Sequence, residues 1–173
     1  MSFIGAEKQG QTYAPGWFLV TDEDCVRKTR QIAQSGATTT AEGGKYVPMG
    51  TAYPSNDANA IGIVYEDVDV TDGDMPGSVV LQGTVYEDRL AITGASYDAV
   101  TPATGDNPAE EGWYERSGSA GAYVYTLTDD TTVTEGVTYY AKSAVRLASA
   151  AKTALAALGF KFVATSPAVT RPY

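Results

Sequence analysis

The stretch from Lys45 to Asp88, KYVPMGTAYPSNDANAIGIVYEDVDVTDGDMPGSVVLQGTVYED, constrains the fold more than any other part of the chain. It holds two apolar runs rich in β-branched residues, Ile61–Val70 and Ser78–Tyr86. Between them lies Thr71-Asp72-Gly73-Asp74-Met75-Pro76-Gly77, a dense cluster of turn residues. Two such runs joined by such a turn predict a hairpin-like pair of strands. In the second half of the first run Tyr65, Asp67 and Asp69 alternate with Glu66, Val68 and Val70, as in a strand with one wet and one buried face. The second run is more apolar and is expected at the centre of the core, with Gly83 as a bulge.

On either side of this stretch the pattern changes. Residues 1–44 show little periodicity; Phe3, Ile4, Tyr13, Trp17 and Phe18 are spaced among Gly, Gln and Pro. This reads either as a poorly ordered segment with a short strand at Trp17–Thr21, or as an extended arm that places its aromatics on a partner. Asp22-Glu23-Asp24 is suited to cap a short helix over Cys25–Gln34. Ser35–Gly44 has the composition of a flexible linker. Lys45–Met49 opens the main domain as a short strand with Pro48 at an edge or bulge.

Beyond Leu90 the pattern frays, and Ala95–Asn107 reads as a Thr/Ala/Gly/Pro-rich connector. Gly112–Glu115, Ala122–Thr128 and Val137–Lys142 then predict three short aromatic strands of a small antiparallel module. Val145–Leu158 is the best helix, with Leu147, Ala151, Ala154, Leu155 and Leu158 on one stripe and Gly159 as its closing residue. Its alanine content suits close packing against the sheet or against symmetry mates. Phe160–Ala164 alternates like a strand.

The chain has no His, so Ser-His and Cys-His nucleophile systems and the usual zinc and haem ligand sets are excluded. Its single Cys, Cys25, cannot form an intrachain disulfide and reads as a semi-buried hydrophobe. A formal net charge of -9 argues against nucleic acid as a partner, and Arg27, Lys28 and Arg30 are the only basic concentration. No run is long enough to cross a bilayer. The string Glu66, Asp67, Asp69, Asp72, Asp74 offers hard oxygen ligands, but its spacing is not that of an EF-hand, and a solvated strand face and turn account for it. No metal and no cofactor is expected. Glu110, Glu111 and Glu115 beside Trp113 and Tyr114 bring a glycosidase to mind, yet a small three-stranded module offers no cleft for two carboxylates. Trp113, Tyr123, Tyr125, Tyr139 and Tyr140 instead form the module's own core or stack on a ligand. The chain is therefore expected not to be an enzyme.

Lys45-Tyr46-Val47-Pro48, Gly50-Thr51 and the run NDANAIGIVYEDVDVTDGDMPGSVVLQGTVYEDRL resemble the head fibre or head decoration proteins of tailed bacteriophages. The closing LASAAKTALAALGFKFV is similar to the C-terminal end of the same proteins, and the two parts cover about half the chain. GWYE…YVYTLTDDTTVTEGVTYYAK looks like a small module that recurs within phage structural proteins. The resemblance implies a mainly β fold: a small barrel-like, tulip-like or sandwich decoration domain with one C-terminal helix and an inserted antiparallel β module. With the arm reading of the first residues, it gives three parts: a capsid-binding arm at 1–44, a decoration domain at 45–95 plus 144–173, and an outward-facing insertion at 96–143. It further implies a homotrimer on the outer surface of the virion capsid, stabilising the shell through the major capsid protein. The arm would bind through Phe3, Ile4, Tyr13, Trp17 and Phe18. Leu147, Ala151 and Leu155 would form the trimer interface. The alternative use of the insertion is attachment to surface glycans through Trp113, Tyr123, Tyr125 and Tyr139.

Overall fold

The computed structural model describes residues 14–167. Among these the chain is mainly β, with thirteen short strands, a nine-residue C-terminal helix and a single-turn helix, and no sheet closes into a barrel. It divides into two compact units: the residues up to Thr93 together with those from Arg146, and Gly94–Val145.

The first unit is built around β7 (Met75–Gln82), which pairs antiparallel with β1 (Val26–Ile32) on one side and β5 (Gly62–Val64) on the other; β4 (Ala52–Tyr53) completes the order β1-β7-β5-β4. In the register Ile63↔Val80 and Val64↔Val79 all four side chains are buried, because successive residues of a strand point to opposite faces and both faces here are covered. Val79 and Val64 pack with Val47, Val68 and Val70, brought by the sheet of β2 (Thr38–Thr39), β3 (Lys45–Val47) and β6 (Val68–Asp69). Val80 and Ile63 pack on the opposite side with Val85, Leu155 and Phe160. Val85 belongs to β8 (Thr84–Tyr86), which pairs in parallel with β13 (Lys161–Val163), and Leu155 to the C-terminal helix Ser149–Ala157. The result is a three-layer domain. Gly62 lies so close to β7 that a Cβ there would stand 2.4 Å from the Val80 carbonyl oxygen, so the central pairing requires glycine.

The Lys45–Asp88 stretch is thus scaffold, but not one hairpin. Ile61–Val70 breaks at Tyr65–Asp67, where the Asp67 carboxylate accepts the Met49 backbone N–H at 2.7 Å, and β6 continues in a different sheet. Ser78–Tyr86 likewise divides at Gly83 into β7 and β8, which belong to different sheets, rather than forming one bulged strand.

Residues 26–44 are not a detachable arm. Where a helix over Cys25–Gln34 is expected, Val26–Ile32 is a strand paired along its whole length with β7; seven backbone pairings outweigh a cap signal. The linker-like Ser35–Gly44 supplies β2. The C-terminal helix is shorter than its pattern, Ser149–Ala157 rather than Val145–Leu158, because Val145 ends a strand. Gly159 follows it with φ 98°.

The second unit is a sheet of order β11-β10-β12-β9, from β9 (Gly94–Ala99), β10 (Tyr114–Ser117), β11 (Val124–Leu127) and β12 (Tyr139–Val145). The connector reading of Ala95–Asn107 therefore fails at its start, since β9 pairs with β12 from Gly94↔Val145 to Ala99↔Tyr140. Between β9 and β10, α1 (Pro108–Glu111) is capped by Asn107, whose side chain accepts the Glu110 N–H. The C-terminal helix is α2.

Candidate functional site

Alternation along the strands of the second unit sorts its aromatic residues onto two faces with different roles. Tyr139 is fully buried, 5.8 Å from the Trp113 ring centre, and its hydroxyl donates to Asp130 while accepting the Thr134 N–H. Thr128, also buried, donates to Glu115 at 2.5 Å. This face is the unit's own small core.

The other face carries Tyr97, Tyr114, Tyr125 and Tyr140, one from each strand; Tyr140 is buried and the other three are half-buried. Tyr97 and Tyr125 stack with ring centres 3.9 Å apart and planes 3° from parallel. Tyr114 meets Tyr97 edge-on at 5.2 Å, and Tyr140 meets Tyr125 edge-on at 5.3 Å. The register Tyr114↔Tyr140 places the inner pair directly opposite, and the outer pair joins above it. Arg116 lies over the rings of Tyr123 (4.2 Å) and Tyr140 (5.0 Å), and Lys142 over Tyr114 (5.6 Å). Arg116 and Lys142 are exposed, and neither forms an ion pair with a described residue. They are the only basic residues of a unit with eight acidic ones, and both lie on this face. The two carboxylates within its strands, Asp98 and Glu115, alternate to the opposite face.

Of the aromatics expected to meet a glycan, the structure keeps Tyr123 and Tyr125 together on this open face, and Tyr123 is 43% exposed. It separates from them Trp113 and Tyr139, which belong to the buried face; Tyr139, with no accessible surface, is corrected from ligand contact to core. Tyr114, noted in sequence beside Trp113, joins them, and Tyr97, Arg116 and Lys142 complete the face without having been singled out. Their signal was the alternation in YER and YYAK, and for Tyr97 there was none, since it lies in a stretch of weak strand formers.

The remaining expected residues divide similarly. Phe3, Ile4 and Tyr13 lie outside the described residues. Phe18 is fully buried in the first unit's core, so it is corrected from a partner anchor to a core residue. Trp17 is half-buried beneath the Arg89 guanidinium, 4.0 Å from its ring centre, with its carbonyl bonded to the same group. Ala151 and Leu155 have no accessible surface and pack against Val85 and Phe160; they face their own sheet, not a trimer axis. Leu147 is half-buried against the same cluster.

In the acidic string, the Asp67, Asp69 and Asp74 carboxylates accept backbone N–H groups of Met49, Thr71 and Gln34. No group of three or more possible ligands converges among the described residues. Burial pushes the Cys25 thiol up, an effect that Arg27 only partly offsets and Asp22 reinforces, which makes it a poor nucleophile at neutral pH. A groove of about 370 Å³ in the first unit is lined by Ile32, Val47, Thr51, Tyr53 and Asn56 among others, with no charged side chain.

No family model, curated protein or solved structure matches the chain.

Proposed function

We propose that this chain is a decoration protein of a tailed-phage head: a non-enzymatic homotrimer that binds the major capsid protein on the outside of the shell and displays Gly94–Val145. The observation that carries the reading is how the second unit is inserted. It leaves and rejoins the first unit through adjacent residues, with Gly94 paired to Val145 and the Thr93 hydroxyl donating to the Arg146 carbonyl at 2.9 Å. A scaffold that holds a removable module at one point suits display from a surface. The resemblance of the Lys45–Leu90 and Leu147–Val163 segments to head decoration proteins supplies the identity of that surface.

Attachment would work by mass action, each bound trimer favouring the assembled shell over its parts. With Phe18 in the core, the contact falls to Phe3, Ile4 and Tyr13 and to β1, which among the described residues is an edge strand paired with β7 and exposes Arg27 and Lys28. An open edge offers backbone donors and acceptors to a partner strand. Truncation of residues 1–13, which spares β1, is expected to abolish cosedimentation with capsids while leaving the fold intact. Undiminished cosedimentation of that truncated protein would remove the arm from the mechanism. Copy number in the assembled particle tests the trimer.

A second reading concerns the displayed unit, which we infer binds surface glycans. What favours it is Tyr123, exposed beside the half-buried rings of Tyr97, Tyr114 and Tyr125, since sugars stack on aromatic rings. Binding to a glycan array that is lost on Tyr123→Ala would support it.

A further inference from the structure

We infer that the face formed by Tyr97, Tyr114, Tyr123 and Tyr125 takes a polysaccharide bearing sparse carboxylates, with Arg116 and Lys142 each holding one of them. The inference rests on the glycan reading and adds the ligand's charge and spacing. Three features carry it.

The first is charge segregation. In a unit with eight acidic residues, both basic ones lie on a single face from which the strand carboxylates are turned away. Solubility would have been served by scattering them. Placed together without ion-pair partners, they make one locally positive surface on an acidic protein.

The second is spacing. The antiparallel register Tyr114↔Tyr140 puts Arg116 two residues beyond the pair in one direction and Lys142 two residues beyond it in the other. Four residue steps of extended strand separate their backbone positions by roughly 13 Å. Their charged ends lie over different rings, Arg116 over Tyr123 and Tyr140 and Lys142 over Tyr114, so the two are not aimed at one anion. A phosphate group is held by several donors converging on it, whereas a carboxylate is satisfied by one guanidinium fork or one ammonium. The arrangement therefore fits single carboxylates separated by at least one neutral ring.

The third is what lies between the cations. Tyr140 is buried, but the exposed Tyr123 and the accessible parts of Tyr97, Tyr114 and Tyr125 offer the apolar and polar contacts that a neutral pyranose makes. A densely charged polymer such as single-stranded nucleic acid would place an unmatched phosphate there, against a protein of net charge -9.

The test uses the intact chain and unsulfated hyaluronan oligosaccharides, in which glucuronate alternates with a neutral sugar. Calorimetry is expected to show binding that weakens as salt rises. Arg116→Gln and Lys142→Gln should each weaken it about tenfold or more, the worth of one charge-assisted hydrogen bond. Both side chains are exposed, so the variants should keep the wild-type unfolding temperature, and Arg116→Lys should recover part of the loss. Equal binding of neutral dextran, or hyaluronan binding unchanged in both Gln variants, would overturn the inference while leaving a glycan site standing. Tighter binding of phosphomannan, oligothymidylate or polyglutamate than of hyaluronan would overturn it in favour of that class. Absence of binding to every glycan would remove both this inference and the reading beneath it.

Discussion

Thr93 and Arg146, separated by 53 positions in sequence, are joined by a hydrogen bond of 2.9 Å from the Thr93 hydroxyl to the Arg146 carbonyl. Everything between them forms one sheet unit. Replacing Gly94–Val145 by a linker of about three Gly and Ser residues should therefore close a very short loop at small entropic cost. The shortened protein is expected to unfold cooperatively within a few degrees of the full chain. Loss of a cooperative thermal transition would show that the first unit depends on the insertion.

Asn56 ties this junction down. Its side-chain amide donates to the Thr93 hydroxyl (2.9 Å) and the Arg146 carbonyl (3.1 Å), and its oxygen accepts the Ala148 N–H (2.9 Å) at the start of α2. Ala148 makes no side-chain cap of its own, so Asn56 caps α2 from a distance. Asn56→Ala should cost about 2–3 kcal/mol, the sum expected for three hydrogen bonds with some solvent access. Asn56→Asp, which keeps the acceptor and loses the donors, should fall between. Urea unfolding with an unchanged m-value measures both; equal stability of all three proteins would deny Asn56 this role.

Leu155 and Leu158 lie one turn-step apart on α2 and its end but face different surroundings: Leu155 is fully buried and Leu158 is 49% exposed. Leu155→Ala should destabilise by about 2–5 kcal/mol through cavity formation, whereas Leu158→Ala should change stability by less than about 0.5 kcal/mol. Analytical ultracentrifugation adds the decisive comparison. If Leu155→Ala dissociated an oligomer without loosening the protomer, Leu155 would be an interface residue and not a core one.

Asp88 gives the chain an acid-sensitive fastening. The Ser166 backbone N–H (2.9 Å) and hydroxyl (2.7 Å) both donate to its carboxylate and hold its pKa below the ordinary aspartate value. Because the folded pKa is lowered, the stabilisation is present above the ordinary aspartate value and is lost as pH falls through the lower folded-state value. Carboxyl NMR titration should find Asp88 titrating low in the wild type and returning part of the way toward the ordinary value in Ser166→Ala, which keeps the backbone N–H and loses the hydroxyl. An unchanged titration in that variant would exclude the Ser166 hydroxyl as a cause.

Sequence alone reached the β class and α2, because those rest on strong local signals. Val79, Val80, Ile63 and Val64 form apolar runs that can only be buried strands, and the Leu/Ala stripe after Val145 repeats at helical spacing. What it missed was decided by distant pairing. Val26–Ile32 carries Arg27, Lys28 and Arg30 after an acidic cap, a helical signal that β7 overrides. Gly94–Ala99 has almost no strand propensity and exists because β12 offers it a ladder. The aromatic face was half legible: the presence of tyrosines was plain, but which of them share a surface depends on registers between strands far apart in sequence.

The junction at Thr93 and Arg146 also decides how the protein would bear a pull. Both ends of the inserted unit enter side by side, so tension on that unit loads two covalent connections together. The β9–β12 ladder, whose last pair is Gly94↔Val145, is then pulled the same way on both strands, so the load neither slides one strand past the other nor peels them apart. Asn56, bonded to both sides of the entry, adds a rivet at the point where separation would have to begin.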